Sequence, residues 1–385
     1  MKHNNVMLLL VLAIAVFGVI TTEVAVIGLL PQLGSQLNVT PTQVGFLVSI
    51  YAVIVAITGP FITLLLSRYN KKHILLTILF IFVISNLIYA TTSSFNLILF
   101  FRILPALFHA TFFAVALVIA ANSVVKEKSP RAVAQVFAGV AVGLVLGMPV
   151  SSFIAEHLSL SAAFYFGSIS CLLALIGILF FVPSSIPVEK VNFSSQLIVL
   201  RNGKLWLTIV TVTAVFSAMF ANFSYIADYL AKITRLDNDT ISIFLVFFGI
   251  SGVLGNYIFS IFLQKNTIKT TKLYPVLLTL LYIFIWILGF SPIAILILIF
   301  FWGVLHSAGL VISQTWLMRE ANEAPEFANS LYISFSNLGI TIGAMVGGWG
   351  VTYLGVHSVV LISIIFTVTA FLSIYLKNKI DSNIG

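Results

Sequence analysis

Twelve apolar runs, separated by short polar breaks, take up nearly the whole chain. Each is about 20 residues or longer, the length an α-helix needs to cross a bilayer. The runs are 6–31, 43–66, 73–92, 96–122, 132–156, 161–182, 205–231, 240–263, 273–291, 293–318, 327–353 and 357–376. Breaks fall at turn or charge clusters: Pro31 to Pro41, Ser67 to His73, Thr91 to Asn96, and Lys126 to Arg131. A water-exposed surface cannot be built here. Charged residues are only 8% of the chain, against about 25% in soluble domains. The reading is an all-α membrane protein whose main partner is the lipid bilayer. Lys2, an apolar stretch and Ala13-Ile14-Ala15 imitate a signal peptide. The apolar run continues to Leu30, so it reads as an uncleaved first span.

Lys and Arg set the orientation. Of the 19, 16 fall in the even-numbered connections and the two tails, including Arg68, Lys71 and Lys72 between spans 2 and 3. The odd-numbered connections hold only Lys232 and Arg235, and Arg102 lies inside a span. Both termini are therefore expected in the cytoplasm, with the chain crossing the cell membrane. The net charge of +8 comes from short clusters rather than one basic face, which excludes a nucleic-acid partner. The single cysteine, Cys171, sits in an apolar run and reads as a small buried hydrophobe.

The longest polar connection, 183–204, divides the chain into six-span halves, 1–182 and 205–385, joined by a cytoplasmic linker. The halves look like repeats. Span 5 carries Gly139, Gly143 and Gly147, and span 11 carries Gly339, Gly343 and Gly347, each 200 residues later. Glycines four apart form one flat helical stripe that admits a neighbouring backbone. Parallel repeats of six spans are one transporter plan, with the substrate site near the midplane.

Ionisable groups inside hydrocarbon cost at least about 2.5–3.5 kcal/mol and usually face a cavity or a partner. Glu23 in span 1 and Arg102 in span 4 fall at similar depth, counted at 1.5 Å per residue. They are expected to share a cavity and to pair. Desolvation and a neighbouring cation push a carboxyl in opposite senses. That competition suits a group that gains and loses a proton each cycle; the alternative is a static ion pair that orients helices. His109 and His306 each lie near the middle of the fourth span of their half. With Asn222, Gln314 and Asn337 they suggest a polar substrate cavity, or else satisfied packing histidines. Asp228, near the end of span 7, is either a cavity carboxylate or an interfacial one. Glu156 and His157 lie at a span end, where solvation is easy. Pro105 and Pro149 interrupt spans 4 and 5 and free a carbonyl that must line a cavity or find a neighbour.

There is no G-x-x-x-x-G-K-[ST] loop, no H-E-x-x-H motif and no soluble domain to house an enzyme site. Neither enzymatic activity nor a cofactor or metal is expected. Energy must come from a gradient.

Span 1 reads Thr21-Thr22-Glu23-Val24 and then Gly28-Leu29-Leu30-Pro31. Span 2 has Gly45-x-Leu47-x-Ser49-x-Tyr51-Ala52, and span 4 has Arg102 with His109-Ala110. Span 5 has Gly143-x3-Gly147-x-Pro149, and Asn337 precedes the span 11 glycines. Together these resemble the major facilitator superfamily, in particular its twelve-span drug:proton antiporter branch of sugar, purine-nucleoside and chloramphenicol efflux proteins. The resemblance implies a monomeric rocker-switch transporter that exports a small molecule in exchange for protons. It implies proton coupling through Arg102, with Glu23 and His109 lining the cavity. Two departures stand out. The superfamily pattern G-x3-D-R-x-G-[RK]-[RK] is reduced to Ser67-Arg68-Tyr69-Asn70-Lys71-Lys72, without its Asp and Gly. Asp228 stands where the branch has proline, which points to a cationic or zwitterionic substrate. Nutrient import or uniport by the same fold, and a receptor or scaffold role, are the competing readings.

Overall fold

A computed structural model describes residues 2–39, 41–183 and 197–382. Most of the expected linker, residues 184–196, lies outside them. The described residues are helical, without strands. The helices are α1 (Lys2–Gly28), α2 (Leu30–Leu37), α3 (Pro41–Leu66), α4 (Lys71–Thr91), α5 (Phe95–Asn122), α6 (Ser129–Val142), α7 (Met148–His157) and α8 (Leu160–Phe181). After residue 196 come α9 (Gly203–Phe223), α10 (Ile226–Lys232), α11 (Asn238–Leu288), α12 (Pro292–Met318), α13 (Pro325–Leu354) and α14 (Ser358–Ser382).

Among the described residues, ten helical stretches are long and apolar enough to span a membrane. One of them, α11, is 51 residues long and breaks at Asn266, where φ is −160° and ψ 95°. It therefore supplies two spans. The sequence suggests a loop of about ten residues there; the break is a single residue. The Asn266 carboxamide oxygen accepts from the Lys269 N–H at 2.9 Å and caps the helix that restarts. A further span is α6 and α7 joined by one π-helical turn, Gly143–Gly147. Its pieces are too short to count singly. With these two the expected twelve are accounted for.

Polar residues at the breaks satisfy the N–H groups orphaned at helix starts. Asn70 caps α4, Ser94 caps α5, Ser159 caps α8, and Ser291 caps α12. Pro105 removes a backbone donor inside α5, which frees the Phe101 carbonyl. The Tyr89 hydroxyl from α4 donates to that oxygen at 2.7 Å. Of the two fates open to the freed carbonyl, it has found a neighbour. Pro149 is exposed and begins α7, next to the π-helical turn.

The chain forms two compact units. The first is 1–196 with 325–334; the second is 197–324 with 335–385. The opening turns of α13 thus belong with the first unit and the rest of that helix with the second. In the first unit the glycine stripe lies against α1. A Cβ on Gly139 would strike the Ala13 carbonyl, and one on Gly147 would come 2.8 Å from Thr21 Oγ1. In the second unit the stripe lies against α9. A Cβ on Gly339 would meet the Thr213 carbonyl at 2.6 Å, and one on Gly347 the Ala221 carbonyl at 2.7 Å. Gly143 packs on Ile20 and Phe17, and Gly343 on Ser217.

Candidate functional site

Arg102 is 1% exposed and anchors the first unit's polar cluster. Its Nε donates to Leu47 O at 3.1 Å, Nη1 to Thr22 O at 3.1 Å and Nη2 to Glu23 O at 2.8 Å. Its Cζ lies 4.3 Å from the centre of the Tyr51 ring, a cation–π contact. One guanidinium thereby joins α1, α3 and α5 at a single level. A carbonyl in a helix keeps a second lone pair, so the arginine takes these bonds without unwinding its neighbours.

The expected pair between the Glu23 and Arg102 side chains is not what forms. The arginine takes Glu23's backbone oxygen, and three of its five N–H groups donate to carbonyls. The Glu23 carboxylate lies 3.9 Å from His109 Nε2. Its side chain is 21% exposed, whereas that of His109 is 3%. The other histidine nitrogen, Nδ1, is 2.8 Å from the Tyr51 hydroxyl. The Phe113 ring lies tilted against the His109 ring, with centres 4.9 Å apart. Arg102, Tyr51, His109 and Glu23 thus form one continuous cluster. Nothing in composition or periodicity singles out Tyr51, which enters only through the span 2 pattern.

A second polar shell surrounds the anchor. The Asn86 amide donates to Thr22 Oγ1 at 2.8 Å, and Thr22 donates to Gly18 O at 2.9 Å. Cys171 is fully buried, with its sulfur 3.7 Å from Thr22 Oγ1. At the far end of α3, Lys71 pairs with Glu326 at 2.8 Å and Lys72 donates to Leu179 O at 2.7 Å. Arg68 is exposed. The loop that lacks the family's aspartate thus makes an ion pair through a glutamate of α13.

In the second unit His306 is 2% exposed, and neither ring nitrogen has a hydrogen-bond partner among the described residues. Phe220, Phe223 and Phe248 enclose it, with ring centres at 5.5, 4.9 and 5.3 Å. Asn222 is fully buried, and both its amide atoms lack partners. Gln314 and Asn337 are buried and engaged. Asp228 is not part of a buried cluster. Its side chain is half-exposed and pairs with Lys232 at 2.9 Å, one turn along α10. His157 is exposed and stacks on Phe153, and Glu156 is exposed beside it. Among the described residues no three His, Cys, Asp or Glu side chains gather closely enough to hold a metal ion.

The sequence model of the Major Facilitator Superfamily matches residues 12–326. The chain belongs to this family. It is a transporter, not an enzyme, and a multi-span helical membrane protein. It is 30% identical over 88% of its length to the inner membrane transport protein YdhP of Escherichia coli K12, and covers 87% of that protein. It is 28% identical over 91% of its length to a probable sugar efflux transporter of Mannheimia succiniciproducens (88% of that protein), and 29% identical over 88% to a chloramphenicol resistance protein of Streptomyces lividans (87% of that protein). Among solved structures, the human organic anion transporter MFSD10 superposes with a TM-score of 0.77 at 14% identity, covering 97% of this chain and 99% of that one. The E. coli fucose:proton symporter FucP gives 0.76 at 13% identity, covering 95% and 97%. At such identities these two establish the fold alone.

Proposed function

We propose that this superfamily transporter is a proton-coupled antiporter that exports a small organic molecule by alternating access. One observation carries the reading. Glu23 is a carboxylate inside a span whose natural countercharge, Arg102, is bound to carbonyls instead. The nearest ionisable neighbour of Glu23, His109, stands off at 3.9 Å rather than hydrogen-bonded, so the acid is free to take up and release a proton, while the arginine supplies a constant positive field. The proton gradient is the energy source, and no cofactor takes part. A charge moved across 100 mV releases about 2.3 kcal/mol. His306, Asn222, Gln314 and Asn337 of the second unit supply cargo-binding groups. The names of two relatives, a probable sugar efflux transporter and a chloramphenicol resistance protein, make sugars and amphenicols the first cargoes to try. The chain works as a monomer in the cell membrane with both ends in the cytoplasm.

The test uses everted vesicles with a respiration-generated pH gradient. Sugars, nucleosides, chloramphenicol and lipophilic cations are added in turn, with and without a proton ionophore. A cargo should dissipate the gradient, and Glu23→Gln should abolish that response while cargo binding persists. Cargo movement that ignores the gradient in the wild type would mean uniport, and the coupling reading would be lost.

A further inference from the structure

We propose that Tyr51 is a positioning residue of the coupling cluster, holding His109 in the tautomer whose Nε2 carries the proton and faces Glu23. His109 then belongs to the proton-handling group rather than to the cargo cavity. The inference rests on the coupling reading above.

Hydrogen accounting decides the tautomer. Tyr51 is 1% exposed, and its hydroxyl has one hydrogen-bond partner among the described residues, His109 Nδ1 at 2.8 Å. If Nδ1 carried the proton and donated to the phenol oxygen, the hydroxyl hydrogen would be buried with no acceptor. The bare Nε2 lone pair would then face the Glu23 carboxylate at 3.9 Å. Both arrangements are unfavourable where no water competes. If Tyr51 donates, its hydrogen and the Nδ1 lone pair satisfy each other, and the Nε2–H points at the carboxylate. The bond made by one ring nitrogen sets the state of the other.

The neighbours keep this arrangement fixed. Arg102 sits on the Tyr51 ring and is itself bound to Glu23's carbonyl, so orientation passes from arginine to tyrosine to histidine and back to the acid. Phe113 limits rotation of the imidazole. Of the other titratable groups nearby, Tyr89 lies against Arg102 with its own hydrogen donated to Phe101 O, and Cys171 contacts Thr22. When Glu23 is protonated, the Nε2–H loses its anionic partner but the Tyr51 bond remains. Only the acid changes charge, and the histidine stays aimed at it. At 3.9 Å the contact is electrostatic rather than a direct hydrogen bond.

The experiment needs no cargo. Full-length protein labelled with 15N-histidine is reconstituted in liposomes and read by solid-state 15N NMR. His109→Gln identifies the His109 signals among the six histidines by subtraction. The wild type should show one tautomer, with Nδ1 bare and Nε2 protonated. Tyr51→Phe keeps the ring under Arg102 and removes only the hydroxyl, so the His109 signals should split into a mixture of both tautomers. A wild-type Nδ1–H, or an unchanged single tautomer in Tyr51→Phe, overturns the proposal. The coupling reading fails separately. If Glu23→Gln still dissipates the gradient while the tautomer result stands, Tyr51 positions His109 but the pair does not serve proton transport.

Discussion

Replacing Arg102 separates two roles that a buried arginine can have, and the geometry gives an order for two variants. Three hydrogen bonds from a charged donor are worth about 1.5–3 kcal/mol each, so Arg102 gains roughly 5–9 kcal/mol from its carbonyls on that scale. Against this stands the removal of a guanidinium from water, which costs several kcal/mol even after relaxation. The two nearly cancel. Arg102→Met, apolar and of similar length, gives up both and should change stability by no more than about 2 kcal/mol, since the carbonyls keep their helical bonds. Arg102→Lys retains the charge and its desolvation cost. Its single ammonium cannot reach Leu47 O on α3 and both Thr22 O and Glu23 O on α1 together, so it forfeits about two bonds, roughly 3–6 kcal/mol. The conservative variant should therefore be the less stable one. Cys171 offers the assay. It is the only cysteine and is fully buried against Gly18 and Thr22, so a thiol-reactive dye reports when this unit opens during a thermal ramp. Both variants should lose coupling. If the methionine variant melts below the lysine variant, the arginine is a structural rivet and the cancellation argued here is wrong.

Other perturbations follow from single contacts. Tyr89→Phe leaves the Phe101 carbonyl without a donor and should cost about 1–3 kcal/mol; adding Pro105→Ala restores a backbone N–H and should recover part of the loss, read by the same dye ramp. Lys71→Glu or Glu326→Lys alone should destabilise by about 3–5 kcal/mol, because a mostly buried charge loses its partner; the double reversal should regain most of it. The last span begins at Ser358 in the structure, so His357 lies just outside it, stacked on Trp286 at 3.8 Å. Burial holds its pKa below the ordinary histidine value, with a backbone hydrogen bond at Trp286 opposing. Its folded pKa is thus the lower one, so its contribution to stability is present above the unfolded value and lost as pH falls through that value and below. The melting temperature should drop on going from about pH 7.5 to 5.5, and less so in His357→Phe.

The spans were legible because hydropathy is a one-dimensional property. Twelve runs predicted twelve crossings, and even the fifth, split by a π-helical turn, keeps its expected place. What failed was rotation about the helix axis. Glu23 and Arg102 lie at the same level, as counting residues along the spans suggests, yet depth does not say which way a carboxylate turns or whether an arginine prefers a backbone oxygen. Asn266 shows another limit. Its neighbours Lys265 and Lys269 signal a loop, but an asparagine that caps its own restart turns a connection into a one-residue break. Tyr51 was unreadable for a related reason. An aromatic residue in an apolar run looks like packing, and only its place beneath Arg102 and beside His109 gives it chemistry.

The repeat goes deeper than the glycine stripes. The backbone positions that the stripes touch are also 200 residues apart: Ala13 and Thr213, Phe17 and Ser217, Thr21 and Ala221. The fourth spans keep a register of their own. His109 lies 15 residues beyond its cap Ser94, and His306 lies 15 beyond its cap Ser291. The two histidines therefore hold equivalent positions, and what differs is the company. One sits beside a carboxylate, a phenol and a guanidinium. The other sits inside three phenyl rings with no hydrogen-bond partner among the described residues. In the first unit, position 102 on the shared register is an arginine; counting seven residues back from His306 gives Ile299. Without that cation there is nothing to orient a tyrosine or to hold a field across an acid. On one helix plan, the first unit carries the groups that handle charge and the second offers apolar faces and the buried amide of Asn222. Exchanging the company should exchange the chemistry. Arg102→Ile should leave Glu23 without its field and His109 without its aimed phenol, and so erase the charge-handling difference between the two histidines.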